Sequence, residues 1–400
     1  MVNLSMRKNE KLRIGIVYDF AYPFTKGGAE YRYYLLAKYL ISRGHSITWF
    51  TMNHWNGSTQ IIKNGIKYVG IIPCIKVYKK GKRALQQTIR FGFGSIKLFN
   101  KIDDIDILDI SQYPFLHFFP LYVFSKIKQK PTVVSWYEYW GKDWKTAYPG
   151  FIGKIGRLIE WLMAKLSNQI IVVSKQSQNR LLIEGIKKDR LNYIPNWIDI
   201  EEINNAPAFG EQYDICYFGR LKDHKNVDLL LRAIAILKKK DLTLRVKILG
   251  DGPEKKNLQI LKEELGLIDE VIFLGGIEKH EELLGYVKSA KVFVNPSTKE
   301  GGGSIVTLES NACSVPVIAV RSLLGIDDDL IIEGKNGFWA IDAKPESLAD
   351  VIYLFFTESI KTIDNARIQS NLFARKYDIS KLGLEVEDIY YNLLDKKVEK

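Results

Sequence analysis

A chain of 400 residues that is 46% hydrophobic and 26% charged has the composition of an ordinary globular protein with room for two or three domains, which excludes wholesale disorder, collagen and coiled coil. Cys74, Cys216 and Cys313 stand far apart with no CxxC pair, which argues against a disulfide framework or a cysteine zinc site and for a reducing compartment. The net charge of +12 is unevenly placed: residues 1–200 hold 31 Lys and Arg against 13 Asp and Glu, whereas residues 201–400 hold 27 against 33.

In chain order, the charged N-terminus runs directly into a strand pattern at residues 12–18 (LRIGIVY) and lacks the apolar core of a signal peptide. Residues 28–42 carry Tyr31, Leu35, Leu36, Tyr39 and Leu40 at helical spacing, and Gly44 falls where a left-handed cap belongs. Strand patterns follow at 46–51, 66–72, 105–110, 132–135 and 169–173. No apolar run reaches the roughly 18–20 residues of a membrane span; the longest, 115–124, is broken by His117 and Pro120. The segment 192–200 (NYIPNWIDI) interrupts the pattern and reads as a linker. A second series then begins: strand 214–218, helix 226–239, strand 244–249, helix 255–265, strand 271–274, helix 281–289, strand 292–295, a helix through Glu309, strand 315–320 and helices from Pro345 onward. Residues 380–394 read as one amphipathic helix. Alternating strands and helices imply an α/β fold of two doubly wound domains, residues 1–200 and 201–378, with a C-terminal helix at 379–400 that packs back on the first. Ligands of such sheets bind at the carboxyl ends of the strands, so a cleft between the domains is the expected site.

Three loops carry candidate chemistry. Lys26-Gly27-Gly28 sits between the first strand and the first helix, where backbone N–H groups and a helix N-terminus favour an anion. Gly219-Arg220-Leu221-Lys222-Asp223-His224-Lys225 follows the first strand of the second series. Arg220 and Lys225, five apart at a strand top, suit a diphosphate, Arg through its fork and Lys as a point charge. The segment 296–309 (PSTKEGGGSIVTLE) is the strongest feature: a proline turn, three glycines and a helix start make an anion nest bracketed by Glu300 and Glu309. The five histidines, 45, 54, 117, 224 and 280, show no metal-ligand spacing, and neither Asp104-Ile105-Asp106 nor Asp327-Asp328-Asp329 reads as a metal site. No P-loop, G-x-S-x-G or kinase motif set is present.

These stretches, with GGAEYRYYLLAKYLISRGHSITWF, IIVVSKQSQNRL, YIPNWID, LGDGPE and VIFLGGI, resemble the retaining, nucleotide-sugar-dependent glycosyltransferases of family 4, the group 1 enzymes of the GT-B fold. The resemblance runs from about residue 12 to 394. It implies an N-terminal domain that holds the acceptor and a C-terminal domain that holds a nucleoside-diphosphate sugar. It carries over a diphosphate grip to Arg220 and Lys225, a ribose ligand to Glu309, backbone contacts to phosphate and sugar to Gly303, Ser304, Ile305 and Val306, and a second phosphate loop to Gly27 and Gly28. Two departures stand out. The family motif usually separates its glutamates by seven residues, whereas eight lie between Glu300 and Glu309; either the loop bulges by one or Gly301 takes the first glutamate's place, which bears on a role for Glu300 beside the donor sugar. Where many relatives carry an acceptor-side His, this chain has Tyr137 followed by Glu138.

The expectation is therefore a metal-independent, cofactor-free retaining glycosyltransferase that takes a nucleoside-diphosphate sugar as donor and extends a glycan or polyprenyl-linked acceptor in cell-surface glycan synthesis. No carboxylate occurs between Glu30 and Asp103, a stretch with thirteen basic residues. This suggests a cytoplasmic enzyme peripheral to an anionic membrane surface. Lys76, Lys79, Lys80, Lys82 and Arg83 form the densest cluster, with Leu85, Ile89, Phe91 and Phe93 next to it; Gly92 and Gly94 weaken a helix there. A GT-B nucleotide-sugar epimerase is the enzyme alternative. A basic nucleic-acid-binding protein is the other, disfavoured because the basic residues are scattered and no RRM, KH or zinc-finger signature occurs.

Overall fold

The computed structural model describes residues 10–75, 78–79, 82–83, 85–357 and 360–398. The chain divides into two compact units, Met1–Pro195 with Ile379–Lys400, and Asn196–Asp378. The division falls five residues before the boundary placed at residue 200. The segment after Pro195 is tied into the second unit, because Ile198 N–H donates to Tyr377 O at 2.9 Å and Asp199 caps the helix Ile200–Asn205 by accepting from Glu202 N–H at 2.9 Å.

The first unit is built on an eight-stranded sheet in the spatial order Leu191–Tyr193, Ile170–Val172, Thr132–Trp136, Ile107–Ser111, Arg13–Val17, Ser46–Asn53, Ile66–Pro73, Gln60–Lys63. All pairs are parallel except the last, where Gln60–Lys63 runs antiparallel to Ile66–Pro73. Ile107–Ser111 and Thr132–Trp136 are buried along their whole length, as expected for strands covered on both faces. The edge strand is mostly exposed and joined by Asn64-Gly65, both at positive φ, the two-residue turn that matches the twist of a hairpin.

The second unit holds a six-stranded parallel sheet ordered Val271–Gly275, Val246–Leu249, Tyr213–Phe218, Ala290–Asn295, Val317–Val320, Gly337–Ala340. In each sheet the chain starts in the middle and later crosses to the other side. The switch falls between Arg13–Val17 and Ile107–Ser111 in the first unit, and between Tyr213–Phe218 and Ala290–Asn295 in the second. Loops leaving the carboxyl ends of these strand pairs diverge to opposite faces and leave a crevice for a ligand.

The C-terminal helix Ile379–Val398 belongs to the first unit. Its Tyr390 hydroxyl donates to Asp109 Oδ2 at 2.7 Å, while Tyr33 and Ser135 donate to Oδ1 at 2.8 and 2.9 Å. Asp109 is fully buried, so these three hydroxyls supply the bonds that water would otherwise make. A second anchor joins Glu387 to His45 Nε2 at 2.9 Å; Leu12 N–H donates to the ring's Nδ1 at 3.0 Å, which leaves the ring proton on Nε2.

Gly92 and Gly94 were expected to weaken a helix here, and Leu85–Gly94 is nonetheless helical. A Cβ at Gly94 would lie 2.4 Å from Ile72 Cγ2 and one at Gly92 2.9 Å from Leu116 Cβ, so both glycines let this helix lie against its neighbours. Phe91 is buried rather than offered to a surface, whereas Leu85, Ile89 and Phe93 are exposed. Of the basic cluster, Lys76 and Lys80 lie outside the described residues, and Lys79, Lys82 and Arg83 fall in the short pair Tyr78–Lys79 and Lys82–Arg83.

Candidate functional site

The loops at the switch point of the second unit bring most of the candidate residues together. The wholly buried strand Tyr213–Phe218 delivers Gly219 and the exposed Arg220 at its carboxyl end. The LGDGPE segment packs directly beneath. A Cβ at Gly250 would lie 1.9 Å from Gly219 O, and one at Gly252 2.2 Å from Leu221 O, so only glycine permits this approach. Leu221 N–H donates to Asp251 O at 2.9 Å and Glu254 N–H to Leu221 O at 3.1 Å. The motif is thus the floor that fixes the Arg220 loop.

The turn Asp223–Lys225 ends at Asn226, which takes a left-handed conformation with φ of 50°. Asn226 Nδ2 donates to Pro296 O at 3.1 Å and Thr298 Oγ1 at 3.0 Å, and His224 O accepts from Thr298 N–H at 3.2 Å and Ser297 Oγ at 3.1 Å. These bonds lace the loop after the first strand to the loop after Ala290–Asn295. They place Lys225 Nζ 2.6 Å from Glu300 Oε1, with side-chain exposures of only 20% and 9%. Burial, then the charge of Lys225, lowers the His224 pKa to about 4, so this imidazole is neutral at pH 7.

The glycine turn follows from its backbone. Lys299 pairs with Leu324 and Gly302 with Ile326, so three steps on one strand face two on the other and one residue bulges. Gly301 and Gly302 both have positive φ, 63° and 87°. The irregular register thus falls between Lys299 and Gly302, and within it Glu300, rather than Gly301, meets Lys225. Gly303 and Ser304 lead into the helix Ile305–Ala312, whose first N–H groups, including those of Ile305 and Val306, have no partners within the helix. The Ser304 hydroxyl caps none of them; it accepts from Thr307 Oγ1 at 2.9 Å and Asn295 Nδ2 at 3.4 Å.

Glu309 lies one turn into this helix, nearly buried. His280 Nε2 sits 2.9 Å from its Oε1, and His280 Nδ1 sits 2.8 Å from Glu202 Oε1. Neither His280 nor Glu202 stood out in the sequence, because a single His and a helix-start Glu 78 residues apart carry no spacing signal.

In the first unit, Gly27 adopts extended backbone as the residue before the helix Gly28–Ser42, and its carbonyl accepts from Tyr31 N–H at 3.0 Å. Tyr137 and Glu138 follow the strand Thr132–Trp136. Gln112, at the end of the neighbouring strand, clamps them: its Oε1 accepts from both backbone N–H groups, at 2.8 and 3.2 Å, and its Nε2 donates to Glu138 O. The Tyr137 phenol is pushed up by burial, and the guanidinium of the wholly buried Arg32 lies 5.9 Å from its ring centroid. Gln112 and Arg32, which contact the candidates Tyr137 and Glu138, did not stand out in the sequence, because neither belongs to a motif. Among the described residues, no group of three His, Cys, Asp or Glu side chains is disposed to hold a metal ion, and no helix is long and apolar enough to cross a membrane.

Two doubly wound units, each with a topological switch point in its sheet, define the GT-B architecture. The likeness to sucrose-phosphate synthase from Thermosynechococcus elongatus covers 96% of this chain and 100% of that one at a TM-score of 0.78 and 17% identity, which concerns the fold. The chain belongs to the group 1, family 4 glycosyltransferases: the model "Glycosyltransferase Family 4" matches residues 26–202 and "Glycosyl transferases group 1" matches residues 199–371. Relatives include an uncharacterized glycosyltransferase of Methanocaldococcus jannaschii, 30% identical over 57% of this chain and 61% of that protein. Another is the GDP-mannose-dependent alpha-(1-6)-phosphatidylinositol monomannoside mannosyltransferase of Mycolicibacterium smegmatis, 29% identical over 42% of this chain and 47% of that protein. The chain thus spans about half of the length of these curated relatives.

Proposed function

We propose that this chain transfers a sugar from a nucleoside-diphosphate sugar to a glycan or lipid-linked acceptor, with retention of anomeric configuration, in cell-surface glycan synthesis. The observation that carries the reading is the convergence of Arg220, Lys225 and the glycine turn at one switch point. Cleaving a sugar–phosphate bond leaves a diphosphate with growing negative charge. Fixed cations and unpaired helix N–H groups aimed at that charge stabilise the transition state. In this reading Arg220 and Lys225 grip the diphosphate, Gly303, Ser304, Ile305 and Val306 meet phosphate and sugar, and Glu309 accepts from the ribose. Glu300 orients the Lys225 ammonium next to the donor sugar. Within the first unit, Gly27 and Gly28 are the candidate second anion loop, and Tyr137 and Glu138 the acceptor-side candidates. Cations and backbone donors carry the charge, so the reaction runs without a metal or a cofactor. Retention is supported by the family, and the nucleotide-sugar donor is also supported by the GDP-mannose dependence of one relative.

In the same reading the acceptor lies at an anionic membrane surface. Leu85, Ile89, Phe93 and Ile96 are exposed at spacings of four, four and three, beside Arg90, Lys97 and Lys101, a pattern suited to lipid headgroups with apolar contact beneath.

Thermal shift against a panel of nucleotide sugars tests the donor assignment. A donor at 100 times its Kd stabilises the fold by about 2.7 kcal/mol. The expected result is stabilisation by one or a few nucleotide sugars that is lost in Arg220→Ala; no response to any of them contradicts the reading.

A further inference from the structure

Three side chains far apart in sequence meet against the helix Ile305–Ala312. His280 opens the helix His280–Lys288, and its imidazole lies between Glu202, from Ile200–Asn205, on Nδ1 and Glu309 on Nε2. The ring contacts both carboxylates, at 2.8 and 2.9 Å, with side-chain exposures of 17% for His280, 29% for Glu202 and 6% for Glu309. An ionised carboxylate only accepts. Both ring nitrogens must therefore donate, which makes the ring an imidazolium. Burial works against that charge, but the bonds to Glu202 and Glu309 outweigh it and raise the His280 pKa to about 10. One oxygen of Glu309 is committed to this ring, and its Oε2 remains to accept from another donor.

We propose that His280, itself held by Glu202, is a positioning residue that fixes the Glu309 carboxylate for the ribose hydroxyls and so makes the site select ribonucleotides over their deoxy counterparts. The proposal rests on the reading of Glu309 as the ribose ligand. An isolated Glu on a helix turns about three side-chain torsions; pinning one oxygen removes that freedom before the nucleotide arrives, so each hydrogen bond to a hydroxyl costs less ordering. A trio that served only to tie the helix Ile200–Asn205 in place would have no effect on which sugar ring the site prefers.

The test measures calorimetric affinities of UDP, GDP and their 2′,3′-dideoxy analogues for the full chain and for His280→Gln, Glu202→Gln and Glu309→Leu. A hydroxyl bound to a charged acceptor gives the wild type a ribose preference on the order of 10- to 100-fold. His280→Gln, which can satisfy only one carboxylate at a time, is expected to cut that preference by about tenfold while leaving dideoxy affinity unchanged; Glu202→Gln shifts it in the same direction by less. The dideoxy affinity also reports that each variant retains a folded diphosphate site, and if His280→Gln lacks it, Glu202→Gln carries the comparison. If Glu309→Leu loses the preference while His280→Gln and Glu202→Gln keep it, the positioning role is overturned and the ribose reading stands. If the wild type shows no ribose preference, the ribose reading falls and the proposal with it.

Discussion

Lys225 and Arg220 are both cations of one loop, but their surroundings differ. Arg220 is exposed, whereas Lys225 is held 2.6 Å from a nearly buried Glu300. Arg220→Ala is therefore expected to lower kcat/KM on the order of 10²- to 10³-fold with an unchanged melting temperature. Lys225→Ala should lower both, because it strands a carboxylate out of water at a cost of about 1–3 kcal/mol. Adding Glu300→Gln to Lys225→Ala should restore stability but not activity, which a double-mutant cycle followed by thermal denaturation and rate measures directly. The His280 trio gives a pH prediction of definite sign. Its folded pKa, about 10, lies above the ordinary 6.5. The trio's stabilisation is thus complete below about 6.5 and lost as pH rises through about 10. The melting temperature of the wild type should fall over that window more steeply than that of His280→Gln; parallel curves would contradict the ion-paired ring. At this scale the sequence showed the chemistry but not the contacts. Arg220, Lys225, Glu300 and Glu309 were visible because glycines and strand ends surround them. The Lys225–Glu300 pair depends on a left-handed Asn226 and on bonds between loops about 70 residues apart, and His280 depends on two partners from separate helices. Neither leaves a local signature.

Among the elements, the long buried strands and the helices Gly28–Ser42 and Val227–Lys239 were legible within a few residues. The helices Phe118–Ile127, Phe151–Leu166 and Lys175–Ile183 were overlooked, because the reading of the first half followed its strands. The edge strand Gln60–Lys63 did have a local cue, Asn64-Gly65. The helix Leu85–Gly94 went against its glycines because Ile72 and Leu116 occupy the space of a Cβ. The C-terminal helix yields an element-scale prediction. Tyr390 is the donor to Asp109 Oδ2 in a site without access to water. Tyr390→Phe leaves that oxygen unpaired and should cost about 1–3 kcal/mol, seen as a drop of several degrees in melting temperature. An unchanged midpoint would mean that this bond does not anchor the helix.

For the molecule as a whole, charge asymmetry separates the two halves: the basic surplus belongs to residues 1–200 and the acidic one to residues 201–400. Binding to anionic vesicles is expected to fade as salt rises toward roughly 0.5 M, where screening is short-ranged. Replacing Leu85, Ile89 and Phe93 by Ser should weaken it at every salt concentration without changing donor affinity. Equal binding to neutral and anionic vesicles, or binding to neither, would assign the charge to solubility alone. The two-unit fold could be read from the alternation of strands and helices, whereas acceptor and donor identity could not, because they depend on pocket shape rather than on motif.

Transfer from a nucleoside-diphosphate sugar with retention, with fixed cations in place of a metal, is tested most directly by proton NMR of the reaction mixture, with EDTA present, the donor chosen by thermal shift and a lipid-linked acceptor extract. Nucleoside diphosphate release is expected to depend on the acceptor, and the product's anomeric coupling is expected to match that of the donor. An inverted anomer, epimerised nucleotide sugar formed without acceptor, or activity that appears only when a divalent cation is restored would contradict that reading.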